Sequence, residues 1–287
     1  MNKLKISSIL LSTLSLFVIV SSCTNDGTPS IQEYQPKQLP ENVSDLFLAE
    51  GNSTADTVWI YEQGGPVGEL DEKNLEKFPN YESFLRVYIH QILTLNNALY
   101  DKELTIEQGE LETDYNTEIL HRVIQHFKNQ GKTVIVFGHS YGAFVVTKYL
   151  ADKGSSLADK YVIMAGRLDA EQEFYEGLIN RKFYYFPDFV TPTLDPITQP
   201  MNKNEETELF FAGIILNNRY TEELKNIDLS KVIYCFANDD EAVGRLTTNE
   251  KDFLLFKNVQ VIEIDNGGHG AMFDAPNNQT IYDLIIQ

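Results

Sequence analysis

Seventeen residues, Thr133 to Tyr149 (TVIVFGHSYGAFVVTKY), constrain the fold more than any other stretch of this chain. Thr133 to Phe137 are β-favouring and apolar throughout, the pattern of a short strand buried on both faces of a parallel sheet. The chain then turns at Gly138-His139-Ser140-Tyr141-Gly142 straight into helix-like sequence. A serine at such a strand-to-helix turn sits in a strained backbone conformation, so its neighbours two positions away on either side must lack bulk. Gly138 and Gly142 meet that demand. The start of the helix points its N–H groups toward Ser140, which favours an oxyanion developing there, and the N–H of Tyr141 is the first donor. His139, in the variable position before the serine, is read as a packing residue and not as a base.

This G-x-S-x-G turn between strand and helix resembles the nucleophile elbow of the α/β-hydrolase family. The resemblance implies a mostly parallel central sheet flanked by helices, with a helical cap inserted over the site, and it can be followed along most of the chain. Leu46-Phe47-Leu48 reads as an edge strand and Thr57 to Tyr61 as a stronger one, ending in Gln63-Gly64-Gly65-Pro66. In the family the loop after this strand commonly reads His-Gly-Gly-Pro and supplies the second oxyanion N–H. Here Gln63 replaces His, and Gly65 still lets a substrate oxygen approach the backbone. Leu85 to Ile89 is the next strand. Asp114 to Lys128 reads as an amphipathic helix capped by Asp114 and ended by Gly131, with Ile119, Leu120, Val123, Ile124 and Phe127 on one face. His121 and His126 on this helix are five apart, which does not stack them for a metal, and His90 has no evident companion.

Lys160 to Ala165 and Lys231 to Phe236 read as strands separated by about 65 residues, where a crossover helix needs only about 10–15. The surplus, about 167–228, is where the family inserts its cap. It is rich in aromatics and punctuated by Pro187, Pro192, Pro196 and Pro200, and those aromatics can hold the cap together or line an apolar pocket. Ala237-Asn238-Asp239-Asp240-Glu241-Ala242-Val243 follows the second of these strands. The register of the family's acid selects Asp240, with Asp239 as its rival and Asp169 as a fallback. A last strand, Val259 to Ile264, leads into Asn266-Gly267-Gly268-His269-Gly270, where a glycine-flanked His suits a base with room for substrate. Pro276 to Ile286 closes the chain as a helix.

Ser140, Asp240 and His269 fall in the chain order of the family. The resemblance therefore implies a serine hydrolase in which His269 takes the Ser140 proton, Asp240 orients the imidazole, and the N–H groups of Tyr141 and Gly65 hold the oxyanion. A carboxylic ester is the expected substrate. Two alternatives stand beside it: an aminopeptidase similar to the proline iminopeptidases, for which Glu171, Glu173, Glu205 and Glu206 could bind a free amino terminus, and a non-catalytic surface binding protein on a hydrolase fold. The sequence carries no metal-ligand cluster and no dinucleotide fingerprint, so neither metal nor cofactor is expected.

Residues 1–22 read as an export signal: Lys3 and Lys5, an apolar stretch, then small residues before a cysteine. The ending Val20-Ser21-Ser22-Cys23 resembles a bacterial lipobox, which implies lipidation of Cys23 and anchorage to a bacterial cell membrane. Polar, proline-spaced residues after it read as a tether over 23–44, with the folded domain in 45–287, although Ile31, Tyr34 and Leu39 could dock as an arm. The remaining charges, 21 basic against 42 acidic, repel phosphate backbones, so nucleic acid is not an expected partner. Of the two cysteines, Cys235 lies in an apolar strand and Cys23 in the lipobox, so no disulfide is expected.

Overall fold

The computed structural model describes residues 34–70, 73–200 and 202–287. The expected export signal, Cys23 and half of the expected tether lie outside the described residues. In chain order the elements are β1 (Phe47–Gly51), β2 (Thr57–Glu62), β3 (Leu85–Ile89), α1 (Ile92–Leu95), α2 (Ile106–Asn129), β4 (Thr133–His139), α3 (Tyr141–Lys153), β5 (Lys160–Met164), α4 (Gln172–Ile179), β6 (Tyr184–Tyr185), β7 (Thr193–Leu194), α5 (Lys203–Ile215), α6 (Tyr220–Glu223), β8 (Val232–Ala237), α7 (Thr248–Phe256), β9 (Gln260–Ile264) and α8 (Asn277–Ile285).

Seven strands form one sheet in the order β1-β3-β2-β4-β5-β8-β9, parallel except for β1, which pairs antiparallel with β3 at the edge. The strands inside it are apolar over most of their length because both faces are covered, with polar residues such as Thr57, Glu62, Lys160 and His139 mainly at their ends. Val58, Ile60, Val134 and Val136 point into the layer packed by α2 and α3, while Trp59, Tyr61, Ile135 and Phe137 point the other way, against Phe78, Phe273 and α8. The central strands, β2, β4 and β5, are thereby fixed in register, with Glu62 opposite Gly138 and His139 opposite Met164.

The helix expected from Asp114 begins eight residues earlier. Thr105 and Gln108 form a capping box that starts α2 at Ile106, and Asp114 lies inside the helix, paired with Lys148 at 3.0 Å. The first two turns lack an apolar stripe because their buried face carries Gly109, against which the cap residues Phe210 and Ile214 pack. Gly131 does end the helix, as expected: its N–H reaches Lys128 O at 2.9 Å and that of Lys132 reaches Phe127 O at 3.1 Å.

Between β5 and β8 the insertion contains α4, α5 and α6, and also a feature not foreseen, the two-stranded ribbon β6–β7. Residues 37–43, expected to lie in the tether, are held against the domain instead. Leu39 and Val43 pack on the core, Lys37 Nζ donates to Leu95 O at 3.1 Å, and Arg122 donates to the carbonyls of Pro40 and Glu41, each at 2.7 Å. The compact unit accordingly begins at Gln35.

Candidate active site

Ser140 stands between β4 and α3 with φ 55° and ψ −122°, in the left-handed half of backbone space that a residue with a Cβ enters only under constraint. The constraint is packing. A Cβ on Gly142 would collide with the Glu62 carbonyl, and one on Gly138 with the Gly142 carbonyl, so β2, the elbow and α3 can close on one another only with glycine at both places. Ser140, Tyr141 and Gly65 line one cavity of about 190 Å³, with Phe144, Phe174 and Leu178 among its apolar walls.

The loop after β8 brings Asp240 to His269. The imidazole Nδ1 lies 2.8 Å from Asp240 Oδ2, and the other carboxylate oxygen accepts the N–H groups of Ala242 (2.8 Å) and Val243 (3.1 Å). An acid that is almost fully buried and holds two backbone donors is fixed in direction. With Nδ1 donating, Nε2 of His269 is the nitrogen that can accept a proton.

Asp239 is turned elsewhere: its two oxygens accept the N–H groups of Gly267 (2.9 Å) and Gly268 (2.8 Å), the residues just before His269. These backbone donors hold its carboxyl below the ordinary range. The neighbouring acids thus divide the work, one on the ring and one on the loop that carries the ring. The fallback, Asp169, is committed to the base of the cap, where it accepts from Thr221 Oγ1 at 2.6 Å and N at 3.2 Å.

Several supporting residues escaped the sequence reading. His139 does pack, as expected, and also donates from Nε2 to His269 O at 3.0 Å, with the two rings 4.9 Å apart. Because a carbonyl only accepts, this contact fixes the His139 proton on Nε2. Gln91, fully buried just beyond β3, donates to the carbonyls of Gln63 (2.9 Å) and Gly64 (3.3 Å) and accepts from Val67 N (3.2 Å), so it shapes the Gly64-Gly65 loop. Glu250, in the first turn of α7, accepts from Leu168 N (2.8 Å) and Asp169 N (2.9 Å) and pairs with buried Arg167 (3.1 Å), pinning the cap where it leaves β5. A capping box at Thr247 and Glu250 was the available signal for that helix start, but nothing local announces its long-range partners.

Glu62, at the end of β2 beside the elbow, is buried, and neither carboxyl oxygen has a hydrogen-bond partner among the described residues. Burial raises its pKa well above the ordinary value. Such a group holds its proton to higher pH when folded than when unfolded, so the folded chain loses stability as pH rises above the ordinary carboxylate range. Glu62→Gln should therefore match the parent in acid and exceed it increasingly toward alkaline pH. Thermal unfolding across that range checks this; a variant equally destabilised at every pH would mean that the carboxyl has a specific partner in the folded chain.

None of Glu171, Glu173, Glu205 and Glu206 lines the Ser140 cavity. Glu171 instead pairs with Arg167 at 2.8 Å, Glu173 is exposed, and Glu206 faces a separate cleft with Lys102, Arg181 and Lys203. A larger cavity of about 580 Å³ carries Glu69, Asp101 and Glu208, and its lining includes none of Ser140, Asp240 and His269.

No family model and no curated protein matches this sequence. Solved structures do match its fold. A lipase-esterase related protein from Clostridium acetobutylicum is 16% identical with a TM-score of 0.51, over 84% of this chain and 97% of that one. MGS-M2, an alpha/beta hydrolase enzyme from a Medee basin deep-sea metagenome library, is 13% identical with a TM-score of 0.53, over 84% and 94%. MGS-MChE2, an alpha/beta hydrolase enzyme from the sediment metagenome of the Mar Chica lagoon, is 15% identical with a TM-score of 0.51, over 84% and 94%.

Proposed function

From its fold, that of the α/β-hydrolases, we propose that this chain is a serine hydrolase that cleaves carboxylic esters through an acyl-enzyme. The reading is supported by Ser140, on a strained elbow that opens into an apolar cavity, and by an Asp240–His269 pair set at 2.8 Å, joined to the elbow through the bond from His139 to His269 O at 3.0 Å. His269 Nε2 takes the Ser140 proton as the hydroxyl attacks the acyl carbon. The tetrahedral oxyanion is held by the N–H groups of Tyr141, at the start of α3, and Gly65. His269 then returns the proton to the leaving alkoxide, and the same relay admits water to release the acid.

An ester is favoured over a peptide with a free amino terminus because, among the described residues, no carboxylate lines the Ser140 cavity. A protonated amine there would be desolvated without a counter-charge. The lipase and esterase descriptions of similar folds agree with the ester reading. Labelling of the purified chain by a fluorophosphonate, with Ser140→Ala as control, tests it. A folded chain that takes up no label and cleaves neither ester nor aminoacyl arylamide would be a binding protein.

The lipobox-like ending at Cys23 supports a further part of the proposal, that the enzyme is exported and lipid-anchored at a bacterial cell membrane. Cys23→Ala should move the chain from the detergent phase to the soluble fraction. Unchanged fractionation, with no labelled fatty acid entering the parent, would discard the anchor.

A further inference from the structure

The first described residues and the catalytic residues share one edge of the sheet. Because β1 runs antiparallel to β3, Phe47 sits beside Ile89, at the carboxyl ends of the parallel strands. Upstream of it, Lys37 bonds to Leu95, shortly after β3, and Leu39 packs on a cluster that includes Phe210, Phe211 and Ile214 of cap helix α5. Ser140, Asp240 and His269 follow the carboxyl ends of β4, β8 and β9. The arm thus enters the fold beside the cap. Gln35 lies only twelve positions after Cys23, a reach of at most about 40 Å even when fully extended. A lipid on Cys23, proposed above, would keep the point where the arm enters within that reach of the membrane.

The cap carries what a lipid surface would meet there. Of the ten large hydrophobic residues exposed among the described residues, four fall within 185–197: Tyr185 (37%), Val190 (38%), Leu194 (40%) and Ile197 (88%). The β6–β7 pairing places Tyr184 and Leu194 on one face of the ribbon and Tyr185 and Thr193 on the other, so exposed apolar side chains emerge on both faces. Charge is sparse there for a chain of net charge −19: residues 183–200 hold only Asp188 and Asp195, with Arg181 and Lys182 just before them. Phe183 and Tyr184, at the root of the ribbon, line the Ser140 cavity.

We propose that the β6–β7 ribbon and the turn after it are the membrane-docking surface of this chain, and that they deliver an apolar ester from the lipid phase to Ser140. The delivery clause rests on the hydrolase reading; the docking does not. The test uses the full mature chain with Cys23→Ser, so that no acyl anchor contributes, and phosphatidylcholine vesicles. The parent should float with the vesicles. Val190→Ser, Leu194→Ser and Ile197→Ser combined should weaken that binding at least about tenfold, because lipid affinity scales with buried apolar area. The triple variant should keep its turnover of a soluble short-chain aryl ester without vesicles and lose turnover of a long-chain ester carried in them.

Ile197→Trp provides a second readout at the most exposed of these positions. Its emission should shift to the blue on vesicles and be quenched by brominated phosphatidylcholine, with Trp59 a constant buried background. Flotation unchanged in the triple variant, or no quenching of Trp emission, overturns the proposal. A blue shift that follows protein concentration without vesicles assigns the ribbon to self-association and overturns it too. Flotation and quenching in a chain that cleaves no ester would uphold the docking surface while the hydrolase reading fails.

Discussion

Ser140→Ala is expected to lower turnover of a short-chain aryl ester by up to about 10⁶-fold, the loss found when the nucleophile of such a triad is removed elsewhere. The fold should survive. Alanine bears the same backbone cost at φ 55° as serine, and the packing that enforces this conformation comes from Gly138, Gly142 and β2, not from the hydroxyl. The comparison therefore isolates the hydroxyl. Steady-state kinetics, with circular dichroism to confirm folding, measure it. If Ser140→Ala retained turnover within about tenfold of the parent, the elbow serine would not be the nucleophile. The loss should be much smaller in substrate affinity, because Phe144, Phe174, Leu178 and the rest of the cavity wall are untouched.

The elbow was legible because its demands are local. A strand, two glycines and a helix start can be read from consecutive residues, and the packing of Gly142 on Glu62 and of Gly138 on Gly142 is the physical form of that pattern. The places of Ser140, Asp240 and His269 just after strands were legible for a similar reason: β4 and β8 carry continuous apolar runs in a covered part of the sheet, and β9, nearer solvent, still shows Val261, Ile262 and Ile264. What could not be read was support supplied across the sequence. Gln91 is 27 residues from the Gly64 carbonyl it holds, Glu250 is 82 residues from the Leu168 N–H it accepts, and His139 is 130 residues from the carbonyl it bonds. Their side chains are ordinary polar residues until the fold brings the partner. The start of α2 was lost for the converse reason, since its buried face is a glycine that periodicity does not register. The β6–β7 ribbon was lost because each strand is only two residues long, too short for alternation to show.

The largest separation between two adjacent residues is expected at Asp239 and Asp240. Asp240→Asn should cost on the order of 10⁴ in turnover with the fold intact, because an amide neither stabilises the imidazolium nor enforces the Nδ1–H tautomer that leaves Nε2 free to accept. Its own backbone bonds to Ala242 and Val243 need only an acceptor oxygen, which the Asn carbonyl retains. Asp239→Asn removes no partner of the ring. It replaces a carboxylate that accepts two glycine N–H groups with an amide that has one accepting oxygen, so the loop before His269 loosens. His139 still holds that loop from the other side through its bond to His269 O. A displacement of the base by about 1 Å costs roughly 10²-fold, which sets the upper bound for Asp239→Asn. The two variants should also differ with pH. The Asp239 carboxyl is held below its ordinary range, so its ordering of the loop is complete above that range and lost only as pH falls through the lowered value. The parent should thus lose the loop at strongly acid pH, and Asp239→Asn should lack that transition. Kinetics of both single variants, followed by their acid unfolding, check the assignment. A loss near 10⁴ at Asp239 with near-normal turnover at Asp240 would exchange the two roles.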